Sequence, residues 1–406
     1  MLNGKGDGVN ALFLFSKDIP LVEFRLKPDG GGVDVCRIFP EHECRMPHVL
    51  QGRSLERLLP AWLWHRFSSS GRWLVRALEQ CGMPQDLPSI LQTTCALSLT
   101  DAFWVHDGTQ SWAQENLFEN SFSEEIANLA ISRGLAPEGL CPFGRSPEYT
   151  SDGSLRKCWR RDANGLSLLK ADSAFPGQVS QATAEWLAWK VAEVLSLDAV
   201  EYSLESFVHV DGSRECVSSC PIFTSPDAGY VPALDCLRLM DVKEWMLDEM
   251  ALETPAAQDA VGEAMGRDAY GDMMLFDSLI GNADRHLGNF GMLFDTSSGK
   301  ILRMAPVFDS GMSFMSRIDW SGKSEQDLFR NWKRGFVMTF DEMAERFVHE
   351  RHREALERLL DFRFPETPFI AEDALCLSER FLHKRAERAL QCLQRQAKRP
   401  SSVSVP

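Results

Sequence analysis

The sequence of 406 residues contains no apolar run near the roughly 20 residues that a membrane-spanning helix needs. Its first residues lack the basic-then-apolar layout of a secretory signal peptide. The 11 cysteines include no C-x-x-C pair and have no His-rich partner segment, which disfavours a zinc site. We therefore expect a cytoplasmic protein with no membrane contact, whose cysteines are reduced and mostly buried.

An excess of basic charge is also missing, because the formal net charge is −15. This charge argues against broad nucleic-acid binding by the chain alone. The basic segment from Arg380 to Arg388 is an exception. Helical spacing of apolar residues there and beyond predicts a packed amphipathic helix with a solvated basic face, a reading we favour over a nucleic-acid contact; the apolar positions are Phe381, Leu382, Ala386, Leu390 and Leu393.

The most informative segments are Leu279–Gly291 and Ala305–Gly311. Asp284 is followed five residues later by Asn289, and a second acid, Asp309, comes after a predicted β-hairpin. The hairpin strands are Phe290–Phe294 and Ile301–Phe308, joined by a polar turn. An antiparallel return brings Asn289 and Asp309 side by side. The alternative is a surface hairpin with capping polar residues.

These three residues are of the types that a kinase C-lobe uses: one carboxylate as the base, and an amide and a second carboxylate as Mg²⁺ ligands. Oxygen ligands from Asn289 and Asp309, with room for water and phosphate oxygens, suit Mg²⁺. Asp284 lies just upstream, offset from the metal pair, where it could accept the proton of a substrate hydroxyl. The spacing therefore predicts phosphoryl transfer.

An N-lobe can be drawn from about residue 140. Ser146–Trp159 predicts strand, turn, strand, and backbone amides of the small polar turn could cover phosphates; the turn is Ser151, Asp152, Gly153 and Ser154. This turn is neither G-x-G-x-x-G nor a Walker loop, and an ordinary hairpin is about equally consistent with it.

Lys170 ends the next predicted strand, Leu166–Lys170, where a kinase places its phosphate-binding lysine. Glu185, in the first turn of the predicted helix Ala182–Leu195, is its natural partner. The alternatives are a solvated lysine and an acid that favours the helix dipole. The apolar strand that follows runs into a hinge near Pro221–Ser225, whose backbone would meet adenine.

The pattern L-I-x-N-x-D-R-H-x-x-N-F-G, followed by A-P-x-F-D-x-G, resembles the HipA-like bacterial serine/threonine kinases. The D-R-H order is also similar to that of the phosphatidylinositol kinases. The resemblance is clearest from about Pro142 to Phe314. It implies that Asp284 is the catalytic base and that Asn289 and Asp309 bind the metal. Phe223 in the hinge and His286 of D-R-H are further residues that we expect at the nucleotide.

A second resemblance lies in the N-terminal region. Ala96–Val105 is apolar and contains a plausible helix cap, and several HipA-like proteins have a similar L-S-L-T-D-x-F-W segment before the kinase core. We predict core packing for Phe103 and Trp104 rather than a ligand role. Short strands between Ala11 and Phe39 and helices from Leu55 to Cys81 complete this region.

The resemblance implies an α+β, two-lobed protein-kinase-like fold with a β-containing N-lobe and a mainly helical C-lobe. We expect an accessory subdomain at residues 1–115, the N-lobe at 116–232 and the C-lobe at 233–406. The implied cofactors are ATP and Mg²⁺, the implied substrate is a protein hydroxyl, and a small helix-turn-helix antitoxin is a hypothetical partner. The A-G-A-Q-x-K segment of the best-known toxin members is absent. Two alternatives stay open: a catalytically idle kinase-like binding module, and a small-molecule or lipid kinase.

Overall fold

The computed structural model describes residues 11–27, 31–68, 86–132, 144–151, 153, 155–172, 175, 177–209, 211–239, 254–335 and 337–398. Among these residues, no helix is both long and apolar enough to cross a lipid bilayer. Within the same residues the strands form three antiparallel sheets, one each in the N-terminal region, the N-lobe and the C-lobe. The first strand of the C-lobe sheet, at 228–232, falls within the range expected for the N-lobe. The boundaries of these regions stay a prediction.

The first sheet belongs to the N-terminal region and has the strand order β3-β2-β1-β4. Its strands are β1 Leu12–Ser16, β2 Ile19–Leu26, β3 Val33–Ile38 and β4 Phe103–His106. Helices α1 Leu55–Ser68, α2 Leu87–Thr94 and α3 Trp112–Glu115 accompany it. The short strands predicted before Phe39 are therefore confirmed.

The segment 96–105 ends in strand β4 and holds no helix start, so the helix cap predicted there is wrong. The Asp101 carboxylate instead accepts the backbone N–H of Phe103, at 2.9 Å, immediately before the strand. Phe103 and Trp104 are both buried, which confirms their predicted core role.

The second sheet, with strand order β5-β6-β8-β7, is the N-lobe sheet. Its strands are β5 Arg156–Asp162, β6 Gly165–Ala171, β7 Ser203–Val208 and β8 Arg214–Pro221. Two helices belong to this lobe, α4 Glu124–Ile131 and α5 Gln181–Leu195. A capping box between Ser180 and Thr183 begins α5, which places Glu185 in the second turn rather than the predicted first turn.

The strand predicted from Ser146 is wrong, because Pro147–Thr150 forms a 3-10 helix. Pro147 has no N–H to donate to a sheet, and it sits at the first position of this helix, where none is needed. The hairpin is formed one strand later, by β5 and β6, with Asp162 opposite Gly165.

The C-lobe contains the third sheet, with the order β11-β10-β9. Its strands are β9 Ala228–Pro232, β10 Gly291–Asp295 and β11 Ile301–Met304. The hairpin of β10 and β11 confirms the sequence prediction, although the return strand ends at Met304, before Pro306. Val307 instead makes a parallel bridge with Ala199.

Helices make up most of the described C-lobe. They are α6 Ala233–Leu239, α7 Pro255–Met265, α8 Arg267–Ile280, α9 Glu325–Asn331, α10 Phe340–Phe347, α11 Arg353–Leu359 and α12 Glu372–Lys398. The apolar positions predicted for the C-terminal amphipathic helix are buried in α12. Its basic face is only partly solvated, because Arg385 is largely buried and donates to the Ser278 carbonyl, at 2.9 Å.

Candidate active site

The loop after α8 carries Asp284 and Asn289. Helix α8 ends at Ile280 and is capped by Gly281, whose φ of +68° is left-handed. A Cβ on residue 281 would lie 2.7 Å from the Phe381 ring. Downstream, the Asn289 side chain ties the loop together. Its Nδ2 donates to the Asp284 carbonyl at 2.8 Å, and its Oδ1 accepts the His286 N–H at 3.0 Å. The loop that presents Asp284 is thus held by Asn289 from within.

Arg285 joins this loop to the segment that carries Asp309. The Arg285 side chain has no exposed surface and forms a two-pronged ion pair with buried Asp277, at 2.8 and 3.0 Å. Its Nη1 also donates to the carbonyls of Asn289, at 3.0 Å, and Phe308, at 2.6 Å. One buried guanidinium therefore brings the Asn289 and Asp309 segments together.

The roles of Arg285 and Asp277 were not predicted from the sequence. The sequence does contain a pattern that indicates a buried acid, because Asp277 lies within the largely apolar segment Leu275–Ile280. A buried acid requires a partner. Only the fold identifies that partner as the arginine of D-R-H.

Asp309 lies beside Lys170, although the two residues come from different lobes. The Lys170 Nζ donates to Asp309 Oδ1 at 2.8 Å. The backbone of Asp309 has a φ of +58°, a left-handed conformation that is uncommon outside glycine and often marks functional sites. Burial would raise the pKa of Asp309, but the charges of Lys170 and Lys157 hold it well below its ordinary value. Asp309 is therefore ionised, and its side chain keeps 41% of its surface exposed.

Lys170 also pairs with Glu185 from α5. The Lys170 Nζ donates to Glu185 Oε1 at 2.5 Å, and Ser218 donates to the other carboxylate oxygen at 2.8 Å. Burial alone would lower the pKa of Lys170, but the carboxylates of Asp309 and Glu185 raise it well above its ordinary value. Burial raises the pKa of Glu185 despite the opposing charge of Lys170. Neither residue is a solvated surface charge, because the Lys170 and Glu185 side chains are only 5% and 0% exposed.

Asp284 is exposed, as is His286. The Asp284 carboxyl is nevertheless partly buried, and this burial raises the pKa of Asp284 above its ordinary value. The charge of Asp309 acts in the same direction, and His286 opposes it. A carboxylate with a raised pKa binds a proton more readily. The His286 Nδ1 accepts the Gly288 N–H at 3.1 Å, which orients the ring within its own loop.

A cleft of about 1200 Å³ lies between the two lobes and extends along the N-terminal region. Ser151, Lys170, Phe223 and Asp309 line it. Asp284, Glu185, His286 and Asn289 are not lining residues, although Gly288 of the same loop is. Of the predicted phosphate loop, Asp152 and Ser154 lie outside the described residues, and Gly153 is exposed with a φ of +102°.

Lys157 is a second lysine of the cleft, and the sequence analysis missed it. It lies directly opposite Lys170 in the β5–β6 ladder, so both side chains project from the same face of the sheet. Its Nζ lies where a side chain on residue 153 would begin, which places the ammonium against Gly153 of the predicted phosphate loop. The correct hairpin register would have indicated this pairing.

Three aromatic rings meet at the hinge end of the cleft. Phe223, from the hinge, lies 5.8 Å from the Tyr230 ring and 5.2 Å from the Phe308 ring, measured between centroids. Within the described part of the chain, the Phe223 backbone N–H makes no hydrogen bond to a backbone carbonyl. The Tyr230 ring stands nearly perpendicular to the other two rings, at 82° and 81°. An apolar aromatic cluster beside a backbone donor is suited to a heteroaromatic base.

Comparisons with known proteins give matches to solved structures only, since no family model and no curated protein matches the sequence. A chain of the Shewanella oneidensis MR-1 toxin–antitoxin complex of HipA, HipB and operator DNA is similar over 94% of this chain and 97% of that chain, with 13% identity and a TM-score of 0.52. The Helicobacter pylori proinflammatory kinase CtkA is similar over 60% of this chain and 90% of that chain, with 20% identity and a TM-score of 0.44. The likeness to the Shewanella chain confirms the predicted two-lobed, HipA-like kinase fold.

Proposed function

We propose that this chain is an ATP- and Mg²⁺-dependent serine/threonine protein kinase. The observation that carries the proposal is the buried Lys170–Glu185 pair, whose lysine also reaches Asp309 across the two lobes. Two acids around one buried lysine cost desolvation energy that a purely structural core would avoid. A kinase needs this arrangement to hold the lysine towards the nucleotide phosphates.

The chemistry of the residues in and beside the cleft fits ATP and Mg²⁺. Lys170, Lys157 and the Gly153 backbone amide would bind phosphate oxygens, and the aromatic rings with the Phe223 N–H would receive adenine. Asp309 and the Asn289 Oδ1 would supply the oxygen donors that Mg²⁺ prefers. Bound ATP would supply the γ-phosphoryl group.

Asp284 is proposed as the general base. It would take the proton of a serine or threonine hydroxyl as the oxygen attacks the γ-phosphorus, and ADP would leave. The exposed position of Asp284 suits a residue on a protein surface as substrate better than a small molecule enclosed in a pocket. We place the reaction in the cytoplasm, where ATP is available.

An antitoxin partner is a further hypothesis. The similar Shewanella chain comes from a complex that contains HipB and operator DNA. The charge of −15 leaves direct DNA contact to such a partner rather than to this chain. The toxin role would be supported if expression of this chain arrests growth and co-expression of a helix-turn-helix protein encoded by a neighbouring gene relieves the arrest.

The deciding experiment incubates the purified chain with γ-labelled ATP, Mg²⁺ and a lysate of its source cells. We expect label on serine or threonine of the chain or of lysate proteins, and loss of label with Asp309→Asn. Asp361→Asn is the matched control, because Asp361 is an exposed acid that is not part of the cleft. An absence of transfer with intact ATP binding would favour the idle binding module, and label on lipid or small molecules alone would favour the other alternative.

A further inference from the structure

Residues 97–101, the L-S-L-T-D segment of the N-terminal region, are here called the bridging segment, because they form hydrogen bonds with three separate parts of the cleft lining. Three of its backbone carbonyls accept hydrogen bonds from three different elements. Thr150 Oγ1 donates to Leu97 at 3.1 Å, Thr224 Oγ1 donates to Leu99, and the Tyr230 N–H donates to Thr100 at 2.7 Å.

The three donors occupy distinct walls of the cleft. Thr150 ends the 3-10 helix before the predicted phosphate loop, Thr224 belongs to the hinge, and Tyr230 lies on β9 in the C-lobe. Thr224 is only 8% exposed, so its hydroxyl has little access to water as an alternative partner. The bridging segment therefore touches the N-lobe, the hinge and the C-lobe at once.

The bridging segment is itself held rigidly. Asp101 forms a two-pronged ion pair with Arg66, at 2.7 and 3.0 Å, and both side chains are below 10% exposure. Arg66 also donates to the carbonyls of Ala96 and Phe103, on either side of the segment. A buried, multiply bonded guanidinium of this kind fixes local backbone geometry.

We propose that the bridging segment positions the walls of the nucleotide cleft, with Thr224 as a positioning residue for the adenine end. This inference rests on the proposed function, because it takes the cleft as the ATP site. The N-terminal region then contributes to nucleotide affinity through the hinge and Tyr230. It does so without a chemical role in the reaction.

The test replaces Thr224 by valine, which keeps the side-chain volume and removes the donor to Leu99. An unpaired buried carbonyl should loosen the hinge, so we expect the KM for ATP to rise about 10-fold while kcat changes less than about twofold. Thr224→Ser, which retains the hydroxyl, should restore the KM. Thr109→Val is the matched control, because Thr109 is exposed, lies outside the cleft lining and has its hydroxyl bonded to Asp107.

Hydrogen exchange of the Tyr230 amide in the nucleotide-free protein is the second readout. Faster exchange in Thr224→Val than in Thr109→Val, together with the KM change, supports the proposal. Unchanged exchange, or faster exchange with an unchanged KM, overturns it. If the wild type binds no nucleotide, the proposed function fails, whereas exchange at Tyr230 still decides whether the segment holds the cleft walls.

Discussion

Replacement of Glu148 by glutamine should make this protein more stable at alkaline pH. Glu148 lies in the 3-10 helix Pro147–Thr150, which precedes the predicted phosphate loop in the chain, and is only 2% exposed. One carboxyl oxygen accepts the Trp159 N–H at 2.7 Å, and the other contacts the Ser146 hydroxyl. Burial, opposed by these hydrogen bonds, raises the pKa of Glu148 from 4.5 to about 7.

The raised pKa of Glu148 determines how the stability of the protein changes with pH. A carboxyl whose pKa is raised in the folded protein binds a proton more tightly there than in the unfolded chain. Its contribution to stability is therefore complete below pH 4.5 and is lost as the pH rises through about 7. At 1.36 kcal/mol per pH unit between the two pKa values, the loss amounts to about 3 kcal/mol.

Glutamine resembles the protonated carboxyl and cannot ionise. We expect Glu148→Gln to match the wild type near pH 4.5 and to exceed its free energy of unfolding by about 3 kcal/mol above pH 8. Urea unfolding at a series of pH values measures this difference. Glu201→Gln, at an exposed glutamate, is the control. If the curves of Glu148→Gln and the wild type run parallel from pH 4.5 to 8, Glu148 is not a buried, perturbed carboxyl.

Four further predictions concern the proposed site. Asp309→Asn should abolish Mg²⁺-dependent nucleotide binding, since the metal loses its only full carboxylate there, and calorimetric titration with MgATP checks this. Asp284→Ala should reduce phosphoryl transfer by about 100-fold or more with near-normal ATP affinity, so an equal fall in affinity would make it a binding residue. Lys170→Met should impair ATP positioning and Glu185→Gln should do so less; additive effects on turnover in a double-mutant cycle would contradict their contact. Asp277→Asn should cost about 3–5 kcal/mol of stability in urea, because it strands a buried guanidinium, and a loss below about 1 kcal/mol would contradict the proposed anchoring role.

Local sequence patterns predicted much of the backbone geometry around the candidate active site. The spacing of Asp284 and Asn289 and the hairpin before Asp309 could be read because neighbouring strands and a short turn are determined by local chemistry. Lys170 and Glu185 followed from their order along the chain. The strand predicted from Ser146 failed because a short polar segment with Pro147 satisfies its backbone as a 3-10 helix equally well.

Contacts between residues far apart in the chain could not be read in this way. The sequence by itself determined which side chains are candidates for chemistry: a lysine, followed along the chain by an acid, an amide and a second acid, in the order expected of a kinase. Only the tertiary structure decided that Arg285 joins the Asn289 and Asp309 segments, that Lys157 stands beside Lys170, and that residues 97–101 reach all three walls of the cleft. The physical reason is that burial and partner choice depend on which surfaces the packed lobes bring together, and the free energy of that packing is spread over the whole core rather than encoded in any one segment.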